Sequence, residues 1–202
     1  LQALVPDELA ARAAAGGNGE ADDRTLLEEQ LAGLPALVMC IEEPEICQHP
    51  VRARHFARVL AQWSQRPRSQ VVVATHSPYF VLPEQFASLR RFALSDGSTV
   101  VRATTVEAAA ISAGTTVTDV ERVMGRELPR TYSEGFFADA VVFVEGDTDR
   151  VILEVLAERL GKSLDANGIA ALAMGGKNNL KVPYFLLDLV GVPSYVIADG
   201  DR

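Results

Sequence analysis

Two stretches of the chain alternate short apolar runs with longer segments of helical period. The first opens at 37–41 (LVMCI). A polar turn and Pro50 follow, then a segment to about 65 in which Phe56, Val59, Leu60 and Trp63 recur at helical spacing, then a second apolar run at 70–75 (QVVVAT). Runs that are apolar at every position, rather than at alternate ones, predict strands buried on both faces of a parallel sheet. Pro50 fits the first position of the intervening helix, where its missing N–H costs nothing. The second stretch predicts strands at 140–144 (AVVFV), 169–174 and 195–198, separated by helices at 148–160 and 180–190. Strands alternating with helices predict an α/β fold with parallel sheets. Between the two stretches, 89–94 and 99–103 flank Ser-Asp-Gly-Ser and predict a hairpin. Residues 105–138 read as a helical connector without recognisable chemistry. Near the start, 10–24 are Ala/Gly-rich and then charged, which reads as a loop, and a helix is expected over 25–32.

Composition narrows the function classes. The chain has 202 residues, enough for one or two domains, and 48% of them are hydrophobic, enough for a buried core. No apolar run reaches the roughly 18 residues of a membrane span, and the amino end has no basic segment leading into an apolar one, so no secretory signal is expected. The chain lacks an initiating Met and stops abruptly at Asp-Gly-Asp-Arg, which reads as a piece of a longer protein. The net charge of −8 argues against an extensive basic surface. Any nucleic-acid contact must rest on local Lys/Arg groups, on metal ions or on parts beyond this chain. Cys40 lies in an apolar run and is expected to be a buried thiol. Cys47 stands near His49, but two thiols and one imidazole do not make a zinc-site spacing. Two cysteines and no export signal fit a reducing cytoplasm.

The first candidate chemistry follows the LVMCI strand, where Glu42, Glu43, Pro44 and Glu45 stand in a row. α/β sheets place ligands at the carboxyl ends of their strands. Two adjacent carboxylates there can divide the work of ATP hydrolysis, one helping to hold Mg²⁺ and the other polarising the attacking water. The QVVVAT strand ends in Thr75-His76-Ser77-Pro78, and a His so placed can hydrogen-bond a γ-phosphate. An acidic pair at a strand exit also occurs as an ordinary solvated loop, and a lone His as a structural residue. The order of the two motifs, each behind an apolar strand, carries the nucleotide reading. No phosphate-binding loop accompanies it. Gly161-Lys162-Ser163 ends a helix instead of opening one, and Gly161 reads as a helix C-cap.

The second candidate chemistry begins where AVVFV runs into Glu145-Gly146-Asp147-Thr148-Asp149. Asp149 lies about one helical turn after Glu145 and can face the same space. The strand at 195–198 ends in Asp199-Gly200-Asp201. A parallel sheet brings such strand ends to one edge, so Glu145, Asp149, Asp199 and Asp201 can form an all-oxygen site suited to Mg²⁺ or Mn²⁺. Ordinary Asp-Gly turns are the plainer reading of either motif alone. Asp147 reads as a turn residue or helix cap. Gly175-Gly176-Lys177, between a strand and a helix, can bind a phosphate through backbone N–H groups and the ammonium, or can be a tight turn with a solvated lysine.

Strand–EEPE–xxxHP followed by strand–THSP resembles the Walker B to H-loop segment of ABC-type ATPases, and strand–EGxxD followed by strand–DGD resembles the Toprim fold. Their succession over roughly residues 35–202 resembles the overcoming-lysogenization-defect (OLD) family of ATP-linked nucleases. The resemblance implies an ABC-type ATPase part at 1–104, a helical connector at 105–138 and the first part of a Toprim domain at 139–202. It implies Glu42 as the Walker B acid and metal-site residue, Glu43 as the catalytic glutamate and His76 as the switch histidine, with His49-Pro50 in the D-loop region. Gly17-Asn18-Gly19-Glu20 matches the ABC signature poorly. At the Toprim it implies Glu145 as metal ligand or general base, with Asp149, Asp199 and Asp201 as further metal ligands. Mg²⁺ or Mn²⁺, ATP and DNA are the implied ligands. A homodimer or larger assembly through ATPase heads, a partner protein of an anti-phage defence system and a cytoplasmic location are the implied setting. A RecF- or SMC-like repair ATPase, or a nucleotide-switched DNA sensor with a non-cleaving Toprim, is the alternative.

Overall fold

The computed structural model describes residues 37–127 and 132–200. The expected loop at 10–24, the helix at 25–32 and the metal-ligand candidate Asp201 lie outside the described residues. Strand β1 (Leu37–Glu42) pairs in parallel with β2 (Ser69–Ala74), from Leu37 opposite Ser69 to Glu42 opposite Ala74. Helix α1 (Pro50–Ser64) makes the crossover. Its amino end is capped by the His49 imidazole, whose Nδ1 accepts from the Val51 N–H at 3.3 Å. The buried stripe of α1 is Ala53, Ala57 and Leu60, whereas Phe56, Val59 and Trp63 are only half-buried. The correction is one of phase: small side chains form the inner row and the bulky ones flank it.

Cys40 is exposed, contrary to the expected buried thiol. Met39 and Ile41 point to the face that α1 covers. Val38, Cys40 and Val72 point to the other face, which among the described residues is left open.

Strands β3 (Arg91–Ser95) and β4 (Ser98–Arg102) form the expected antiparallel hairpin. Asp96 and Gly97 both take positive φ, 50° and 76°. This is the turn whose twist matches that of the flanking strands. Helices α2 (Val106–Ala113) and α3 (Val117–Glu127) and a short 3₁₀ helix at Tyr132–Phe136 lead into a three-stranded parallel sheet. Its strands are β5 (Ala140–Val144), β6 (Ile169–Ala173) and β7 (Ser194–Ile197), in the order β6-β5-β7. Helix α4 (Asp147–Arg159) joins β5 to β6, and α5 (Lys181–Leu189) joins β6 to β7. The chain therefore leaves central β5 for one neighbour and returns across it to the other. Such a reversal opens a crevice at the carboxyl ends of the strands. Helix α4 ends as its glycine suggested: Gly161 takes φ 67°, its N–H reaches the Glu158 carbonyl, and the Lys162 N–H reaches that of Ala157.

One apolar core runs from Val81 and Phe86 through α2 and α3 to Tyr132, Phe136, Phe143, Leu172 and Leu186. The hairpin is tied to it by Arg91, whose guanidinium donates to the carbonyls of Phe136, Ala138 and Gly191. Tyr132 is fully buried, which pushes its phenol well above the usual range, and it donates to the Pro183 carbonyl at 2.7 Å. Tyr132→Phe removes that buried hydrogen bond. The substitution is expected to cost about 1–2 kcal/mol in chemical denaturation. Among the described residues no helix is long and apolar enough to cross a membrane.

Candidate active site

Two strand edges carry the candidate chemistry. At the first, the ladder between β1 and β2 continues one step past the strands, because the Glu43 N–H donates to the Ala74 carbonyl at 2.7 Å. Glu43 takes a left-handed φ of 47°, unusual for a residue with a Cβ. The turn that follows is held by Glu45, a residue to which the EEPE motif alone gives no separate role. Its carboxylate accepts the Thr75 hydroxyl at 2.7 Å and the His76 N–H at 3.1 Å. The Thr75 oxygen in turn accepts from the Ser77 N–H at 2.9 Å. Glu45 thus ties the EEPE turn to the THSP turn. The outcome is that the His76 Nε2 lies 3.6 Å from a Glu43 carboxylate oxygen. Glu42 ends β1 exposed, beside this pair in sequence. Glu45→Ala removes charge-assisted bonds at a half-buried turn, and a loss of about 1–2 kcal/mol is expected in chemical denaturation. The signal that could have found Glu45 is the pairing of an acid behind one strand with a Thr behind its neighbour.

At the second edge, Val144 pairs with both Ala173 and Ile197, so the three carboxyl ends lie side by side. The Asp199 N–H donates to the Glu145 Oε1 at 2.8 Å, across a sequence separation of 54 residues. The Lys177 ammonium donates to the Asp199 carbonyl at 2.9 Å. Glu145, Lys177 and Asp199 are therefore brought together. Asp149 is engaged elsewhere, because its Oδ2 accepts the Gly146 N–H at 3.0 Å and so caps α4. The capping expected of Asp147 falls to Asp149, three residues past the cap as in a capping box, while Asp147 pairs with Arg150 at 3.6 Å. Among the described residues no three His, Cys, Asp or Glu side chains are grouped closely enough to hold a metal ion.

The Gly175-Gly176 turn takes φ values of 65° and 130°, which only glycine adopts readily. Its Gly176 N–H is already engaged by the Glu145 carbonyl at 2.8 Å, so it does not point out as part of an anion nest. Asn179 braces the turn by donating to the Met174 carbonyl at 3.0 Å. Sequence pattern assigns no part to Asn179, although an amide closing a Gly-Gly loop is a common brace.

Known proteins match both edges. The family described as overcoming lysogenization defect protein-like, TOPRIM domain, matches residues 136–201. The family described as AAA ATPase domain matches residues 28–81. A protein of Thermus scotoductus named OLD nuclease is 31% identical over 161 residues, which is 80% of this chain and 30% of that protein. The chain thus spans 30% of the length of that relative.

Proposed function

Because this chain belongs to the overcoming-lysogenization-defect family, with an ATPase segment joined to a Toprim segment, we propose that it is part of an ATP-linked DNA endonuclease. The observation that carries this reading is the direct link between Glu145 and Asp199 at the carboxyl edge of β5 and β7. The Glu145 carboxylate meets the Asp199 backbone there, with the Lys177 ammonium on the Asp199 carbonyl, at the sheet crevice where α/β folds bind ligands.

Glu145 and Asp199 are hard oxygen donors of the kind Mg²⁺ or Mn²⁺ takes, and in this reading they hold the cation, joined by Asp201 and by the second oxygen of Asp149. A cation held by these residues would supply Lewis-acid polarisation of a phosphodiester. Glu145 takes the proton of the attacking water. Lys177, already at the edge, sets its positive charge against the phosphate backbone, and Gly175 and Gly176 keep the turn low enough for that backbone to approach. At the other edge Glu42 helps to hold the nucleotide-associated Mg²⁺, Glu43 orients water toward ATP, and His76 senses the γ-phosphate. The His76 and Glu43 contact supports their acting as one unit.

The ATPase gates cleavage through the shared core, since the turn following His76 packs on the 3₁₀ helix that precedes β5. A cytoplasmic homodimer or larger assembly through ATPase heads, serving bacterial DNA processing or anti-phage defence with a partner protein, completes the proposal. Plasmid DNA incubated with full-length protein and Mg²⁺ or Mn²⁺, with and without ATP, tests it. Metal-dependent nicking is expected. Intact DNA together with DNA-stimulated ATP turnover would instead favour a repair ATPase.

A further inference from the structure

The chain carries a net charge of −8, yet α1 has Arg52, Arg54, His55 and Arg58 and no acidic residue along Pro50–Ser64. Arg54, Arg58 and Gln62 follow one another at four-residue intervals, so they form one row along the helix with a rise of about 6 Å between neighbours. The row lies away from the buried Ala53, Ala57 and Leu60. Among the described residues no carboxylate lies within ion-pair distance of Arg54 or Arg58. Arg54 lies over the Tyr79 ring, 5.5 Å from its centroid, a cation–π contact that favours this placement of the guanidinium. Both arginines line a cleft of about 530 Å³ whose other walls include Tyr79, Ser133, Glu84 and Glu134. Tyr79 belongs to the turn that follows His76, so the row adjoins the candidate nucleotide sensor.

We propose that this arginine row of α1 is a contact surface for the phosphodiester backbone of DNA. The inference rests on the nuclease reading in taking DNA as the ligand. Guanidiniums without a carboxylate partner match phosphate oxygens, which they bind through two parallel N–H donors. Apart from Val51 at its amino end, the exposed face offers polar His55 and Gln62 beside the arginines. Protein partners instead take a central apolar anchor. The row also reconciles an acidic chain with a polyanionic ligand, because this one helix carries three arginines and no acidic residue.

The test measures anisotropy of a fluorescein-labelled duplex with full-length protein in EDTA, over a NaCl series, beside plasmid nicking by the same wild-type preparation. Melting temperatures serve as a fold control. Arg54→Gln/Arg58→Gln is expected to bind about tenfold more weakly at about 0.1 M NaCl. The slope of log affinity against log [NaCl] should shrink by about 1.8, or about 0.9 for each phosphate no longer neutralised. Arg58→Gln alone, which leaves the Tyr79 stack in place, should shrink it by about half as much. Wild-type nicking and binding with an unchanged slope in both variants would overturn the arginine row alone and point to an acidic protein as its occupant. Neither binding nor nicking by wild type would overturn the row and the nuclease reading together.

Discussion

Glu145→Gln in the full-length protein is expected to lower metal-dependent DNA cleavage by about 10³-fold, the scale on which a positioned general base contributes. Glutamine keeps the size of the side chain and an oxygen that can still accept the Asp199 N–H, so the strand edge should hold together. What it loses is the negative charge that attracts a divalent cation and the basicity that takes a proton. DNA affinity in EDTA should therefore change little while turnover collapses. Asp199→Asn should act in the same direction, with its own N–H still bonded to Glu145. Retained cleavage in Glu145→Gln would leave the EGDTD segment as an ordinary strand-to-helix turn.

Glu43→Gln is expected to lower ATP turnover by about 10²-fold or more while nucleotide binding survives. The left-handed backbone at Glu43 and its bond to Ala74 hold the residue at the strand exit irrespective of side-chain charge. The His76 imidazole, 3.6 Å away, would then face an amide in place of a carboxylate. Single-turnover phosphate release beside binding of a fluorescent nucleotide separates the two effects. Equal loss of binding and turnover would mark Glu43 as a nucleotide-holding residue, and no change would mark it as a solvated loop acid.

Most elements could be read from hydrophobic pattern because their strands are short apolar runs closed by glycine, proline or acidic turns. AVVFV becomes β5 residue for residue, and Ser-Asp-Gly-Ser becomes the hairpin turn. Pattern could not tell how many faces of a strand are covered, since that depends on which elements pack beside it. Cys40 is exposed for this reason. It also could not assign each carboxylate its job. Asp149 and Glu145 stand four residues apart, but the position of the Gly146 N–H decides that Asp149 caps a helix. Glu45 finds its partner Thr75 in the turn after β2, thirty residues away, where local spacing has no reach. The arginine row was hidden by net charge, a sum that erases where charges lie.

The decisive measurement of a metal-dependent nuclease site at Glu145 is cleavage of supercoiled plasmid by the full-length protein, titrated with Mn²⁺ or Mg²⁺ and run beside Glu145→Gln. Nicked and linear product is expected to rise with metal, vanish in EDTA and be lost in the variant. Intact plasmid at every metal concentration, or cleavage that persists in EDTA or in Glu145→Gln, would contradict such a site.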